Sequence, residues 1–387
     1  MEKTNKASKI DLLIIFSITL MAVLGLSSTT PSFPKIAEFF DVGKQNVGLI
    51  LTFFTIPGVV FTPIFGVLAD RHGRKKVLLP ALLLFSLAGM ACGFSTSFEM
   101  LLGFTFLQGI GAASLGALNV TLIGDFFSGD KRTSVMGYNN AVLSIGTASF
   151  PLIGGALAAI AWNYPFFMPV IGLVVAYFVA FKLKEPLVES STTFKEYLPV
   201  VIKSLKNKRL IALFVISMST FIILFGAFLS YLPFIISEKF GGVSVTIGLL
   251  LMSMSATTAL TSTLLGRLVK KVGQIKLLSS AFIIYAAAIL LIYYVPEFWM
   301  LPFATILFGV AHGLNLPNVQ SIIAGMAPTE HRAAFMSVNR MVAQLGQAVG
   351  PVLMSLVFSA FAIQGVFWAS AGLAIFVFVL IITFVKK

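Results

Sequence analysis

Between Gly66 and Lys76 the chain reads GVLADRHGRKK, in which a single acid, Asp70, is followed within six residues by Arg71, His72, Arg74, Lys75 and Lys76. A carboxylate in such company forms ion pairs that can be made and broken. A second group of this kind, Asp125 with Lys131 and Arg132, lies further along. Inside the apolar stretches the ionisable side chains thin out to His312 and Arg340. His312 is suited to carrying a proton, because an imidazole changes charge near neutral pH without a large shift. Arg340 offers a permanent charge and several donors, and such a group at membrane depth is a candidate functional residue. Asn119, Asn139, Asn140, Asn315 and Gln344 add uncharged donors and acceptors, and Phe225 and Tyr231 add flat surfaces for an apolar ligand. These residues do not assemble into a catalytic centre. No G-x-x-x-x-G-K-[ST] is present to cradle a nucleotide, and His72, His312 and His331 are scattered, without the H-E-x-x-H spacing of a zinc protease. The chain is therefore not expected to be an enzyme, and no cofactor or metal is expected.

The elements that must position these residues follow from composition. The 387 residues are 58% hydrophobic and only 11% charged, whereas a soluble domain is about a quarter charged. Crossing ~30 Å of hydrocarbon takes about 20 apolar residues as a helix. Twelve such stretches occur, near 11–33, 45–69, 76–96, 98–122, 134–161, 164–182, 210–232, 244–268, 275–295, 299–323, 333–358 and 362–384. The first is too long for a removable signal and lacks a small-residue cleavage site, so it is expected to stay as helix one. The net charge of +13 raises the question of nucleic acid, but its distribution argues against that. If the chain weaves twelve times, all 27 Lys and Arg except Lys35, Lys44, Lys239 and Arg340 fall on one side. That is the positive-inside pattern, which makes both termini cytoplasmic in the cell membrane. The lone cysteine, Cys92, leaves no intrachain disulfide and is expected to act as a small apolar side chain.

The sequence also repeats. Shifting it by 200 residues brings Gly66 onto Gly266, Gly73 onto Gly273, Lys76 onto Lys276, Gly109 onto Gly309, Arg132 onto Arg332, Asn139 onto Asn339, Gly146 onto Gly346 and Pro151 onto Pro351. The polar stretch between, with Pro186 and seven basic residues, divides six helices from six. The expected organisation is a six-helix bundle at 1–182, a cytoplasmic linker at 183–209 and a second bundle at 210–387. Two parallel repeats of this kind are a transporter architecture, with the substrate held between them and access alternating as they rock.

The residues also carry a family resemblance. GVLADRHGRKK resembles the signature loop between helices two and three of the major facilitator superfamily. GDFFSGDKR (Gly124 to Arg132) resembles its loop between helices four and five, and GTASFPLIGG (Gly146 to Gly155) its helix-five antiporter motif. Within the superfamily the chain is most similar to the twelve-helix drug–proton antiporters. The resemblance implies an all-α membrane protein of major facilitator fold, with twelve transmembrane helices in two parallel six-helix repeats. It further implies a latch in which Asp70 faces the start of helix eleven near Ala333 and pairs with loop cations such as Arg74, with Arg71, Asp125 and Arg132 in the network. Gly146, Pro151, Gly154 and Gly155, mirrored by Gly346, Gly350 and Pro351, form the helix-packing motif, along which the two halves are expected to meet. Three positions depart from the family pattern. Phe150 stands where glycine is usual, Asn163 follows Trp162 where arginine is frequent, and Thr105 replaces an arginine implicated in coupling. With no acid in the core of helices one to six, coupling is expected from His312, repelled by Arg340, or from Asp70 and Asp125. The expected function is proton-coupled efflux of small amphipathic compounds by a functional monomer. Proton-coupled uptake, facilitated diffusion and a non-transporting sensor on the same fold are the alternatives. The partners are a small-molecule substrate, protons and the lipid bilayer, with no nucleic acid.

Overall fold

The computed structural model describes residues 8–184, 207–326 and 332–385, and among them every regular element is a helix. Most of the expected linker at 183–209 lies outside the described residues.

Five helices of the first half are α1 (Lys9–Thr29), α2 (Leu49–His72), α3 (Arg74–Cys92), α4 (Phe98–Phe126) and α5 (Gly129–Ile160). The sixth, α6 (Tyr164–Phe181), begins as a tighter 3₁₀ segment where Pro165 and Pro169 remove backbone donors. Local chemistry sets several ends. Ser8 and Asp11 cap α1 reciprocally, and the Ser97 hydroxyl accepts from the Met100 amide to start α4. Asp11 also accepts from the Lys184 amide at 3.2 Å, tying the end of α6 to the start of α1.

The second half runs through α7 (Lys208–Phe240), α8 (Ser244–Val272), α9 (Gln274–Tyr294) and α10 (Leu301–Met326). The middle of α7, Ile222–Leu229, widens into a π-helix. Eleven helices among the described residues are long and apolar enough to span a bilayer. The last, Arg332–Leu380, breaks where Phe361 (φ −132°, ψ 15°) and Ala362 (φ 53°, ψ −166°) leave helical geometry. It is thus two spans, α11 before the break and α12 after it, and the chain has the expected twelve.

Contacts divide the chain into two compact units, Met1–Ser32 with Phe53–Thr193 and Phe33–Thr52 with Phe194–Lys387. The short stretch 33–52 thus joins the second unit. There Lys44 pairs with Glu238 at 2.5 Å, and the Thr52 hydroxyl donates to the Ala348 carbonyl at 2.8 Å.

Lipid tails are as apolar as leucine, so helices in a membrane associate through close packing at small residues. Each unit uses the same small residues in the same way. A Cβ on Gly109 of α4 would lie 2.2 Å from the Phe54 carbonyl of α2, and one on Gly309 of α10 would lie 2.5 Å from the Met254 carbonyl of α8. The turn from α2 to α3 rests on Gly73 (φ 99°) and that from α8 to α9 on Gly273 (φ 94°). Residues with a side chain rarely adopt such angles, so the repeated glycine recurs for a backbone reason. Large apolar side chains such as Leu13, Val60, Leu87, Val174, Phe181 and Leu356 are exposed, as surfaces bordering lipid require.

Candidate functional site

The turn at Gly73 places Arg74 at the first position of α3, from which its side chain folds back over the end of α2. Nη1 donates to Asp70, and Nε donates to Asp125 of α4 at 2.9 Å. The Arg74 side chain is only 4% exposed. An acid at the C-terminal end of α2 faces the negative pole of that helix, and the guanidinium offsets this by satisfying two carboxylates at once. The three residues join α2, α3 and α4 at one end of the first unit. Arg71 and Arg132, expected in the same network, form no ion pair among the described residues. The Arg132 guanidinium instead lies over Gly124, near the carbonyl end of α4, where a positive charge suits the helix pole. The side chain of Ala333, the expected helix-eleven partner, falls outside the described residues.

The helix-packing glycines make close approaches within their own unit. A Cβ on Gly154 would meet the Ser28 carbonyl of α1 at 1.9 Å, and one on Gly146 would meet Leu20 of α1 at 2.9 Å. A Cβ on Gly346 would lie 2.5 Å from the Met218 carbonyl of α7, and one on Gly350 would lie 3.0 Å from the Ile222 backbone. These glycines seat α5 on α1 and α11 on α7. Pro151, Gly155 and Pro351 are buried beside them.

Deeper in each unit, asparagines meet hydroxyls of the first helix of that half. In the first unit the Thr19 hydroxyl on α1 donates to Asn139 Oδ1 of α5 at 2.5 Å and accepts from Asn119 Nδ2 of α4 at 2.5 Å. In the second, Ser217 of α7 donates to Asn339 Oδ1 of α11 at 2.6 Å, and Asn315 Nδ2 of α10 donates to Thr220 of α7 at 2.7 Å. Thr19, Ser217, Thr220 and Asn339 were not among the expected site residues. A hydroxyl in an apolar helix satisfies itself on its own i−4 carbonyl, so its type carries no signal of a distant partner. Asn140, by contrast, is exposed and outside the cluster.

His312 is buried, and its Nδ1 shares a 2.6 Å hydrogen bond with the hydroxyl of fully buried Tyr285 on α9. Phe308 stacks beside the imidazole at 6.4 Å and Phe221 meets it edge-on at 6.5 Å. Arg340, the expected neighbour, is exposed and forms no ion pair or hydrogen bond among the described residues. The partner that the structure gives His312 is thus Tyr285, a residue that sequence reasoning missed. Gln344 is half-buried. Tyr231 and Phe225, expected to line a pocket, are packed away. The Tyr231 hydroxyl donates to the Met354 carbonyl at 3.3 Å while its ring stacks on Phe358, and Phe225 tilts against Phe221. No group of three or more His, Cys, Asp or Glu able to hold a metal occurs among the described residues.

Twelve helices in two similarly built six-helix sets, with a charged α2–α3 turn, find their match in one family model, Major Facilitator Superfamily, over residues 15–243 and 225–387. The chain belongs to the Major Facilitator Superfamily. It is a multi-pass membrane transporter. The Bacillibactin exporter of Bacillus subtilis (strain 168) is 27% identical over 365 residues, covering 90% of each chain. Multidrug resistance protein 1 of the same organism is 28% identical over 385 residues, covering 97% of this chain and 95% of its own. These names agree with the drug–proton antiporter branch that the helix-five motif resembles. A bacterial homologue of the human lysosomal transporter Spinster, solved in an inward-facing, unoccupied conformation, shares the fold with a TM-score of 0.81 at 16% identity, covering 98% of this chain and 99% of that one.

Proposed function

We propose that this transporter exports small amphipathic compounds across the cell membrane in exchange for protons, as a monomer, with both termini in the cytoplasm. The observation that carries the reading is the near full-length similarity to curated relatives named as an exporter and as a multidrug resistance protein. The basic α2–α3 turn, with the other Lys and Arg on its side, supports the orientation. The bodies that rock are the six-helix halves at 1–182 and 210–387, each stiffened by its glycine contacts and asparagine–hydroxyl bonds. Arg74 with Asp70 and Asp125 is the cytoplasmic charge node whose pairing changes with state.

His312 is the proton carrier in this reading. Its Nδ1 and the Tyr285 hydroxyl share one hydrogen between them. A proton arriving at Nδ1 reverses the bond, because the imidazolium must donate and the tyrosine oxygen must accept. The tyrosine O–H then needs another acceptor, which couples protonation to a local rearrangement. From the other helices packed on α10, the charged groups nearest in type are Arg340 on α11, Arg267, Lys270 and Lys271 near the end of α8 and Lys276 at the start of α9; α7 contributes Lys208, Arg209, Glu238 and Lys239 at its ends.

Inverted membrane vesicles with an acidic lumen test the reading. A panel of neutral and anionic amphipathic fluorophores should accumulate inside, and dissipating the pH gradient should release them. Accumulation only with an alkaline lumen would indicate symport, equilibration without concentration would indicate a uniporter, and no flux of any probe would indicate a sensor.

A further inference from the structure

The α8–α9 turn of the second unit and the α2–α3 turn of the first share the glycine backbone but differ in charge. A shift of 200 residues brings Asp70 onto Lys270, Arg74 onto Gln274 and Asp125 onto Gly325. In the first unit Arg74 is taken up by its two carboxylates. In the second the junction is tied by a neutral bond, in which the Asn318 amide of α10 donates to the Gln274 carbonyl at the start of α9 at 2.9 Å. No charge is used to hold this turn. Arg267, Lys270, Lys271 and Lys276 are all exposed and form no ion pair among the described residues. Between Ser244 and Met326 the sole acid is Glu297, beyond the opposite end of α9.

Helical spacing gathers three of these cations. Arg267, Lys270 and Lys271 stand at i, i+3 and i+4 near the end of α8, so they share one face, where like charges repel. The negative pole of α8 offsets the repulsion for Lys270 and Lys271 in its last turn, but that field fades by Arg267, about one turn earlier. Membrane orientation does not require the clustering either, because it depends on how many cations lie on a side and not on which face of a helix carries them. The same face continues toward the membrane core as hydrocarbon. Leu260, Leu264, Arg267 and Lys271 follow one another at steps of four, three and four, and both leucines are exposed. Leu260 lies about 16 Å from Lys271 along the helix axis, close to the ~15 Å of hydrocarbon in one leaflet. An apolar track one leaflet deep that ends in three cations matches a single phospholipid in length and polarity.

We infer that the end of α8 is a binding site for an anionic phospholipid, whose headgroup phosphate pairs with Arg267, Lys270 and Lys271 while an acyl chain lies along Leu264 and Leu260. Lys276, across the turn, adds to the positive field. Anionic lipids give the cytoplasmic leaflet a negative surface potential, and a group of Lys and Arg just beyond a spanning helix complements it. The inference rests on the reading above only in taking this end of the second unit as cytoplasmic. The matching turn of the first unit is a poorer site, because Asp70 puts a carboxylate where Lys270 would meet the phosphate. A bound lipid pins the end of α8 to its leaflet and relieves the repulsion among the three cations.

The test uses purified, delipidated full-length protein in detergent, titrated with dioleoyl phosphatidylglycerol or with dioleoyl phosphatidylcholine, which carries the same chains on a zwitterionic headgroup. Bound lipids are counted by native mass spectrometry. Phosphatidylglycerol should bind more tightly. One Lys or Arg near an anionic lipid is worth about fivefold in affinity, so Arg267→Gln, Lys270→Gln and Lys271→Gln should each lower the preference by about that factor, and the triple variant should abolish it. Lys270→Arg with Lys271→Arg should keep it. A control triple of Lys9→Gln, Lys182→Gln and Lys208→Gln removes the same charge from exposed cations elsewhere and should leave the preference unchanged. Leu260→Gln with Leu264→Gln should weaken both lipids equally. Should the first triple fail to fold, its single variants carry the comparison. Equal binding of the two lipids by the parent, or equal losses in the two triples, overturns the site and leaves diffuse charge attraction. Unchanged affinity in the leucine variant overturns the acyl track. Displacement of the lipid by equimolar glycerophosphoglycerol, the same headgroup without chains, replaces the lipid by a soluble phosphate as the occupant and overturns the inference. Lipid preference in a protein that moves no fluorophore keeps the site and removes the carrier reading; flux without lipid preference does the reverse.

Discussion

Replacing Gly154 by alanine adds one methyl group at the tightest helix crossing of the first unit. Its carbon would sit 1.9 Å from the Ser28 carbonyl oxygen, so α1 and α5 must separate by about 1.1 Å to reach even a 3.0 Å contact. Both sides of the clash are backbone, and no rotamer relieves it. Overpacking of this kind costs about 1–3 kcal/mol. The same substitution at Gly137, also on α5, meets nothing within 4 Å. There alanine only gains helix propensity, up to ~1 kcal/mol. For a unit of this size 1 kcal/mol corresponds to ~2–4 °C in melting temperature. Gly154→Ala should therefore melt roughly 2–12 °C lower than the parent, and Gly137→Ala up to about 4 °C higher. The protein carries its own reporter. Cys92 is the single cysteine, fully buried in the same unit with its sulfur 3.6 Å from the Thr105 hydroxyl, so a thiol-reactive dye brightens only on unfolding. Turnover of Gly154→Ala in proteoliposomes should fall by more than its expression. If the two variants shift the melting temperature equally and in the same direction, the α1–α5 crossing is not a close backbone contact and the reasoning fails.

Three further outcomes follow from the same structure. Arg74→Ala leaves Asp70 and Asp125 facing each other without their shared cation, and should cost about 2 kcal/mol, discounted for the partial exposure of the acids; Asp70→Asn or Asp125→Asn should recover part of that loss in the double variant, and additive losses would show that the node is not coupled. His312→Gln should abolish accumulation driven by a pH gradient while sparing downhill exchange, and Tyr285→Phe should alter the pH dependence of transport more than the affinity for cargo; a His312→Gln protein that still concentrates substrate moves coupling to Asp70 and Asp125. Ala362, held at φ 53° and ψ −166° between α11 and α12, adopts a conformation suited to glycine, so Ala362→Gly should raise the melting temperature by the equivalent of about 1 kcal/mol, and a fall would place the α11–α12 break elsewhere.

The sequence by itself determined the helices, their number and their duplication. Spanning a bilayer demands long apolar runs, and such runs are visible without any partner, which is why the twelve stretches and the observed helices coincide to within a few residues at most ends. Gly73 and Gly273 were legible as a repeat because a positive φ is a local demand. What the neighbours of these residues are was decided by tertiary structure. Among the cations between Arg71 and Lys76 and at Arg132, only the backbone path through Gly73 selects Arg74 to bridge two carboxylates. Gly154 announces close packing but not its partner, since the small surface of a glycine fits any helix, and Ser28 lies over a hundred residues away. His312 stood out by its chemistry, yet depth along two helices suggested Arg340 as its companion, and the rotation of α9 about its axis supplied Tyr285 instead. Thr19, Ser217 and Thr220 were silent because a hydroxyl bonded to its own helix looks the same in sequence whether or not an asparagine reaches it. Which hydroxyl Asn119 or Asn315 meets is decided only by how the first helix of each half packs against the fourth, because the partners lie about a hundred residues apart in the chain.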